Sequence, residues 1–397
     1  MSRILFAWEF GAGMGHLGYF LPVAVELRRR GHEVRFAVTQ TGQAARLLSR
    51  FDFAWFQAPT RAEQLAVANH PPLSYADIMR RFGYHDRDDL NGLVTAWREI
   101  LKLAGTDLLI ADHSPTALLA ARTLNLPAML YGSGFFIPPR QTPLPNMRPW
   151  LPIADPQLLD IESKVLDNVN HVLGKHGRTE LDTLAGLFDV AEDAILSFPE
   201  LDHYEQRGPA KYWGAIPSAG TGAHPAWPDV PGPRIFAYLR PEIRHLEALL
   251  EALHVLRLPT VAYCPGVDAG LLQRYAAPHL CFSTEMLDMQ RLTAEAHVIV
   301  SYAAYASVLS FLLAGKPAFS LPFHLEQFLF ARRIEMMGAG LLMDPEQPPV
   351  DMTAKMQRVV HDAFFTGNAR AFAQKYAAFS QETVVSNIVR RIEEICP

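Results

Sequence analysis

The chain has 397 residues, of which 49% are hydrophobic and 19% charged, and its formal net charge is −5. This length suffices for two domains of roughly 200 residues each, and the composition excludes a disordered chain. The negative charge argues against a nucleic-acid binder, because no basic field would attract a phosphate backbone.

Neither a targeting segment nor a membrane span is predicted. The apolar run at the N-terminus is broken by Glu9 and by glycines, unlike a signal peptide. The uncharged run from Val298 to Ala314 has only 17 residues and contains serines, so a buried strand followed by a buried helix explains it better than a membrane span. The three cysteines form no disulfide or zinc pattern. We therefore expect a cytoplasmic protein.

The chain opens with a strand, a glycine-rich loop and a helix. The apolar run Ile4–Trp8 predicts a buried parallel strand, and apolar residues at helical spacing predict the helix that follows the loop. The loop carries Gly11, Gly13 and Gly15, which allow the backbone to approach a ligand closely. His16 stands at the start of the helix, where the helix dipole favours an anion or an uncharged imidazole.

Two functional interpretations compete for this loop, beside a structural one. Residues 13–18 match the dinucleotide fingerprint G-x-G-x-x-G, but the second strand, Val34–Val38, is followed by Thr39-Gln40-Thr41 and not by an acid for the ribose hydroxyls. This context argues against nicotinamide or flavin binding. The other functional interpretation makes His16 a catalytic base. The structural one is a turn that merely packs the helix on the sheet.

Strand and helix signals alternate along the chain, which predicts parallel sheets covered on both faces. A buried strand over 106–112 ends in Asp112 and precedes a helix over 115–124. Ligands gather beyond the carboxyl ends of such strands, so we expect Asp112 on the same rim as His16. A carboxylate there fixes the tautomer of an imidazole and stabilises its protonated form. Asp112 fits a helix-cap role equally well.

The run Asp86-Arg87-Asp88 matches the D-x-D carboxylate pair that holds a metal in some sugar-transferring enzymes. It also directly precedes a predicted helix, Leu90–Leu103. Acidic residues at a helix start satisfy free N–H groups and the helix dipole. We predict a helix cap here and no metal site.

An irregular segment rich in proline and aromatic residues follows the strand predicted at 128–131 and extends to about residue 156. On the rim of an α/β domain such segments line pockets for apolar ligands, or pack as surface loops. Phe135 and Phe136 are our candidates for contacting such a ligand.

A stretch dense in glycine and proline predicts a linker at residues 216–233. It separates a first domain, 1–215, from a second, 234–378, in which strand and helix signals alternate again. Residues 379–397 form a predicted C-terminal helix.

Over nearly its whole length, and most strongly at its two ends, the chain resembles the GT-B-fold glycosyltransferases of the UDP-glucuronosyltransferase-like type, a group that contains macrolide and flavonoid glycosyltransferases. The resemblance implies an α/β architecture of two doubly wound, Rossmann-like domains facing a central cleft, with the C-terminal helix packed back on the first domain. It makes His16 the base that deprotonates an acceptor hydroxyl and Asp112 its orienting partner. The matching segments of the first domain are Gly15-His16, Leu21-Pro22, Arg30–Val34, Asp107–Asp112 and Leu126-Pro127.

The second domain resembles the family's donor site but departs from it at the phosphate-binding loop. Residues 300–317, Glu326-Gln327 and 338–340 match the family pattern. The family's H-G-G-x-G-T is replaced by Tyr302-Ala-Ala-Tyr-Ala-Ser307, so three glycines become alanines. Each added Cβ disfavours positive φ and narrows the approach to phosphate. The helix expected to begin near Ser307 keeps its free N–H groups, so anion binding is weakened rather than abolished.

The resemblance therefore implies an inverting, metal-independent glycosyltransferase. Its co-substrate is a nucleotide-sugar, UDP- or TDP-linked, and it needs no further cofactor. The aromatic and proline content of residues 131–150 indicates a small, partly apolar acceptor. Gly13 and Gly15 allow close approach, and Phe135 and Phe136 contact the acceptor. The predicted donor contacts are Arg240, Tyr302, Ser307, Glu326 and Gln327.

Two other functions stay open from the sequence. The altered donor loop motivates a catalytically silent GT-B-like protein that binds a ligand or a partner protein. A sugar-nucleotide epimerase of similar fold would need further acid and base groups that the sequence does not identify. The sugar, the nucleobase, the acceptor and the oligomeric state are not determined by the sequence.

Overall fold

The computed structural model describes residues 1–11, 13, 15–61, 70–217 and 222–396. Internal contacts divide the chain into two compact units. The first unit comprises Met1–Phe198, Tyr204–Ala215 and the C-terminal residues from Gln381, and the second comprises Pro199–His203 and Ile216–Ser380. Of the predicted linker, residues 218–221 lie outside the described residues.

The first unit is built on a parallel sheet. Its strands are β1 (Arg3–Trp8), β2 (Glu33–Val38), β3 (Ala54–Gln57), β4 (Leu108–Asp112), β5 (Ala128–Gly132) and β6 (Glu192–Ile195). Its helices up to residue 198 are α1 (Gly15–Arg29), α2 (Thr41–Leu47), α3 (Tyr75–Met79), α4 (Arg87–Leu103), α5 (Pro115–Thr123) and α6 (Asp155–Lys175). The strands lie in the order β3-β2-β1-β4-β5-β6.

This order reverses direction between β1 and β4, which defines the switch point of a doubly wound sheet. Strands β4 and β5 are buried along their whole length, as is β1 after its first residue, because helices cover both faces of the sheet. At the carboxyl end of the switch point, Trp8 of β1 pairs with Asp112 of β4. The buried strand predicted at 4–8 is confirmed, and the one predicted at 106–112 is confirmed from Leu108 onward, since residues 106 and 107 precede β4 and are half-buried.

The second unit repeats the plan. Its strands are β7 (Ile235–Tyr238), β8 (Thr260–Tyr263), β9 (Leu280–Ser283), β10 (Val298–Ser301), β11 (Ala318–Ser320) and β12 (Gly340–Leu342). Its helices are α7 (Leu246–Leu256), α8 (Ala269–Tyr275), α9 (Met289–Glu295), α10 (Tyr305–Leu313), α11 (Leu325–Met336), α12 (Met352–His361) and α13 (Ala363–Lys375). The parallel order is β12-β11-β10-β7-β8-β9, so the switch point lies between β7 and β10, where Tyr238 pairs with Ser301. Two doubly wound sheets confirm the predicted α/β class.

The last helix, α14 (Gln381–Ile395), belongs to the first unit and packs against α1. Its residue Glu393 lies 3.0 Å from Nη1 of Arg30, and Arg391 lies 2.7 Å from Glu192 at the start of β6. On its inner face Ile388 is fully buried. In the part of the chain that the structure describes, every helix is too short or too polar to cross a lipid bilayer.

The packing of α14 generates a stability prediction. Replacing Ile388 by alanine should lower the free energy of unfolding by roughly 2–5 kcal/mol, because the side chain is fully buried and its loss leaves a cavity. Ser386→Ala, on the exposed face of the same helix, is the matched control and should change it by less than about 0.5 kcal/mol. Chemical denaturation followed by circular dichroism measures both. Equal stability of the two variants would show that α14 contributes little to folding.

Candidate functional site

The rim of the first sheet holds a buried histidine–aspartate pair. His16 lies in the first turn of α1, and Asp112 is the last residue of β4. Nδ1 of His16 lies 2.7 Å from Oδ2 of Asp112, and both side chains are buried. A carboxylate only accepts hydrogen bonds, so this contact places the imidazole hydrogen on Nδ1 and the lone pair on Nε2. Nε2 of His16 is therefore the atom that can take up a proton.

Aromatic rings and a glycine surround this imidazole. The Trp8 ring stacks on it with centroids 4.7 Å apart, and the Phe136 ring lies 5.1 Å away. Nε2 faces the glycine-rich loop, because a Cβ on Gly11 would stand 3.3 Å from it. Gly11 and Gly13 have φ of +83° and +106°, which side-chain-bearing residues rarely adopt, whereas Gly15 begins α1. A close approach that a side chain would obstruct is present at Gly11, whereas a Cβ at Gly13 or Gly15 would meet no atom within 4 Å.

A further glycine, not singled out in the sequence, makes room for the aspartate. Gly132 ends β5 with φ +138°, and a Cβ there would stand 2.6 Å from Oδ1 of Asp112. Any side chain at this position would displace the carboxylate that binds His16. No local sequence signal identifies such a glycine, because its neighbour Asp112 lies 20 residues earlier in the chain.

Glu9, directly after β1, is the third buried acidic or imidazole group of this rim. Its Oε2 accepts a hydrogen bond of 3.0 Å from the backbone N–H of Thr116 in the first turn of α5. Burial raises the pKa of Glu9 to about 8, outweighing the hydrogen bonds that it accepts. Glu9 thus caps α5, the helix for which the sequence also allows a cap by Asp112, while Asp112 binds His16.

Helix α4 begins at Arg87, three residues before the predicted Leu90, and Asp86 has the capping role predicted for the acidic run. Oδ1 of Asp86 accepts hydrogen bonds of 2.9 Å from the backbone N–H groups of Asp88 and Asp89, as an N-cap does. Within the described residues, no group of three or more His, Cys, Asp or Glu side chains is placed to hold a metal ion.

The two phenylalanines predicted to contact the acceptor lie in a short 3₁₀ turn, Gly134–Phe136, after β5. Phe136 is brought against His16 and also lies 4.5 Å, between ring centroids, from His113. His113 directly follows Asp112 and was not identified from the sequence. Its ring is buried, and its Nδ1 lies 2.8 Å from the hydroxyl of Tyr75. A histidine directly after a strand-ending aspartate is the signal that could have revealed it.

In the second unit, two predicted donor contacts meet at the carboxyl edge of the sheet. Arg240 follows β7 and Tyr302 follows β10, the two strands of the switch point. The Tyr302 ring lies 5.0 Å from Tyr238 and 5.4 Å from Phe323, and burial raises its pKa. Arg240 is half-exposed and pairs with Glu242 at 3.4 Å. This edge therefore presents a cation beside aromatic rings.

The helix after β10 begins two residues earlier than predicted. The N–H of Val308 bonds the carbonyl of Ala304 at 2.9 Å, so α10 starts at Tyr305 and Ser307 lies buried in its first turn. No side chain of the N-cap residue Ala304 covers the free N–H groups. Ala303 adopts φ +64°, the left-handed conformation that costs an L-residue about 1–2 kcal/mol. The loop thus has, at Ala303, a backbone shape suited to glycine.

Glu326 and Gln327 lie in the first turn of α11. Oε1 of Glu326 lies 3.6 Å from Nε2 of the buried His203. The side-chain oxygen of Gln327 accepts from the backbone N–H groups of Phe323, at 3.1 Å, and His324, at 3.3 Å. Gln327 therefore stabilises the start of α11 through its oxygen.

Comparisons with known proteins bear on the fold and on the class of activity. No family model matches the chain. It is 24% identical over 404 residues to a PGL/p-HBAD biosynthesis glycosyltransferase of Mycobacterium tuberculosis, covering 96% of this chain and 91% of that protein.

Among solved structures, it is similar to the glycosyltransferase VinC in complex with dTDP, with a TM-score of 0.68, 17% identity and coverage of 99% of this chain and 100% of VinC. It is also similar to the spinosyn rhamnosyltransferase SpnG complexed with spinosyn aglycone, with a TM-score of 0.67, 17% identity and coverage of 98% and 100%.

These similarities confirm the predicted GT-B fold and the resemblance to macrolide glycosyltransferases. The nearly full-length similarity to a named glycosyltransferase supports an enzyme that transfers sugars, and the catalytically silent alternative is not favoured.

The strained alanine generates a prediction with an internal control. Ala303→Gly should raise the free energy of unfolding by roughly 0.5–1 kcal/mol. Glycine removes the conformational energy that alanine has at positive φ, and this gain is larger than the loss from the greater conformational entropy of the unfolded chain. The same substitution at Ala306, in the first turn of α10, should lower it by roughly 0.5–1 kcal/mol. Equilibrium denaturation measures both. Destabilisation by both substitutions would contradict strain at Ala303.

The buried carboxyl of Glu9 generates a pH prediction. Because its pKa is raised by folding to about 8, the unfolded chain loses this proton at lower pH than the native protein does. The group therefore lowers stability progressively as pH rises from about 5 to 8. As pH rises over this range, the free energy of unfolding of Glu9→Gln should increase relative to that of wild type by roughly 2–4 kcal/mol.

Denaturation curves at pH 5 and pH 8 test this expectation. Glu99→Gln, at an exposed carboxyl of α4, corrects for the loss of one negative charge. A difference between Glu9→Gln and wild type that is constant with pH would show that Glu9 is ionised in the native protein.

Proposed function

We propose that this protein, a glycosyltransferase of the GT-B fold, moves a sugar from a nucleoside-diphosphate donor to a hydroxyl group of a small, partly apolar acceptor, with inversion at the anomeric carbon. The observation that carries the proposal is the buried contact of 2.7 Å between His16 and Asp112 at the switch point of the first sheet. It gives the first unit an oriented base at the edge where doubly wound sheets bind ligands.

The reaction follows from the orientation of that base. Nε2 of His16 accepts the proton of the acceptor hydroxyl, and the oxygen attacks the anomeric carbon of the donor. The bond from that carbon to the diphosphate breaks, and the leaving group takes the electron pair. Asp112 stabilises the imidazolium that forms, without itself taking the proton. A single displacement of this kind inverts the configuration and requires no metal ion.

Aromatic surface beside the base supports an acceptor with apolar parts. Phe136 contacts the imidazole, and Phe135 lies next to it with a centroid distance of 5.3 Å. Trp8 stacks on the imidazole and restricts its rotation. The acceptor hydroxyl would approach past Gly11, whose lack of a side chain leaves space beside Nε2 of His16.

The donor would bind on the second unit. The uncapped N-terminus of α10, with Ser307 in its first turn, offers N–H groups to the diphosphate. The guanidinium of Arg240 adds positive charge, and Tyr302 adds a hydroxyl without charge. Glu326 and the amide nitrogen of Gln327 would bind sugar hydroxyls, while the Gln327 oxygen caps α11.

Thymidine diphosphate or uridine diphosphate is the carrier we propose for the sugar, with no other cofactor. The structural neighbour VinC was solved with dTDP, and SpnG with the spinosyn aglycone, which support a nucleotide-sugar and a small-molecule acceptor here. Binding can be tested first, by thermal shift with uridine, thymidine, guanosine and adenosine diphosphates. A ligand at about 100 times its Kd stabilises the native state by roughly 2.7 kcal/mol.

Variants of the buried pair test the mechanism. His16→Ala should lower kcat about 10³-fold or more, because the variant lacks the base that accepts the proton of the acceptor hydroxyl. Asp112→Asn should lower it by about 10²–10⁴-fold, because the imidazole is then free to adopt the wrong tautomer. Sugar transfer is followed by release of the nucleoside diphosphate.

Two measurements separate chemistry from folding in that experiment. Both variants should keep the wild-type thermal shift with the nucleotide, since the proposed donor contacts lie in the other unit. His171→Ala, a histidine of α6, is the matched control and should retain wild-type turnover. Unchanged turnover in His16→Ala would refute the assignment, and the absence of any nucleotide-dependent shift at millimolar concentration would refute the donor site.

A further inference from the structure

Two imidazoles, not one, converge on the glycine loop of the first unit. A Cβ built on Gly11 would stand 3.3 Å from Nε2 of His16 and 3.6 Å from Cδ2 of His113, the carbon bonded to Nε2 of that second ring. The two rings are nearly parallel, at 15°, with centroids 6.4 Å apart. The space that a side chain at Gly11 would fill is therefore bordered by a reactive edge of each histidine.

The hydrogen-bond partner of His113 is Tyr75, whose hydroxyl can donate to the ring or accept from it. The hydroxyl of Tyr75 lies 2.8 Å from Nδ1, and both side chains are buried. When the tyrosine donates, Nδ1 is the acceptor and the ring hydrogen sits on Nε2. His113 then presents a donor at the edge where His16 presents an acceptor, since Asp112 holds the hydrogen of His16 on Nδ1.

The backbone holds His113 in a costly conformation. Its φ is +48°, a left-handed value that a non-glycine residue adopts rarely. The N–H of Phe10 donates a 3.0 Å hydrogen bond to its carbonyl, and Glu9 caps the helix that follows it. Strain of this kind persists where the surrounding structure imposes it, and it is concentrated at functional sites.

We propose that His113 is a second catalytic residue, whose Nε2–H donates a hydrogen bond to the acceptor oxygen while Nε2 of His16 removes that oxygen's proton. This inference rests on the proposed function. The acceptor O–H bond breaks and its proton goes to His16, the oxygen forms a bond to the anomeric carbon, and the diphosphate leaves with the electron pair. His113 keeps its proton throughout and stabilises the negative charge that develops on the oxygen.

The environments of the two histidines suit this division of roles. The pKa of His113 is lowered well below its ordinary value, mainly by burial and to a smaller extent by the neighbouring His16. His113 therefore stays neutral when His16 becomes protonated. His16 has the carboxylate of Asp112 at 2.7 Å and His113 has an uncharged tyrosine. Pairs of titratable groups in contrasting environments characteristically take different catalytic roles.

Kinetics of three variants test the proposal, with UDP-glucose and TDP-glucose as donors and 4-nitrophenol and 4-methoxyphenol as acceptor probes. His113→Phe keeps an aromatic ring but removes the donor, and should lower kcat about 100-fold or more. His113→Gln, whose amide nitrogen can replace Nε2, should restore part of that loss. Tyr75→Phe removes the hydrogen bond to Nδ1 of His113, so that the ring can adopt either tautomer, and its kcat should lie between those of wild type and His113→Phe.

Comparing the two acceptors distinguishes a catalytic role of His113 from a purely structural one, because a structural defect would lower the rate equally for both. The oxygen of 4-methoxyphenol is the more basic and gains more from a hydrogen bond, so His113→Phe should impair its glycosylation more than that of 4-nitrophenol. Equal loss with both acceptors, or wild-type kcat in His113→Phe, would overturn the proposal. If His113→Phe does not fold, His113→Gln and Tyr75→Phe carry the same comparison.

A measurement on the free protein separates this proposal from the proposed function. Nitrogen-15 NMR of the histidine rings should show the hydrogen of His113 on Nε2, and Tyr75→Phe should change this signal. A hydrogen on Nδ1 of His113 in the wild-type protein would overturn the inference, whatever the activity. Absence of turnover in wild type with every donor would instead count against the proposed function, and leaves the NMR result to decide on the role of His113.

Discussion

The hydrogen bond between His16 and Asp112 is the interaction that links the elements at the rim of the first unit. It joins the start of α1 to the end of β4, and so it requires that β1 and β4 be neighbours with their carboxyl ends level. Pairing of Trp8 with Asp112 provides that register. Gly132 leaves space for the carboxylate, and Glu9 anchors the helix behind it. The pair is thus a product of the whole sheet.

Both units place strained residues just beyond a switch-point strand. His113 follows β4 with φ +48°, and Ala303 follows β10 with φ +64°. In each case the chain must leave the sheet sharply and enter a helix whose N-terminus faces the rim, α5 in one unit and α10 in the other. At Ala303 a glycine would adopt this conformation without strain. At His113 the same conformation places the imidazole ring beside Gly11.

The two units nevertheless differ in the chemistry of their rims. The first carries buried titratable groups, namely Glu9, His16, Asp112 and His113, set among aromatic rings. The second carries an uncapped helix terminus and Arg240 beside tyrosines. The groups of the first unit are suited to proton transfer, and those of the second unit are suited to binding a diphosphate. This division supports a two-substrate reaction in which one unit activates the acceptor and the other holds the donor.

The sequence by itself determined the two doubly wound domains, the helix cap at Asp86 and the candidacy of His16 and Asp112, because alternating strand and helix patterns and strand-ending polar residues are local signals. Tertiary structure alone decided that Glu9 caps α5, that Gly132 must lack a side chain and that His113 meets His16. These contacts join residues far apart in sequence, 107 positions in the case of Glu9 and Thr116. Local periodicity carries no information on such distances, which are fixed only when the strands pair.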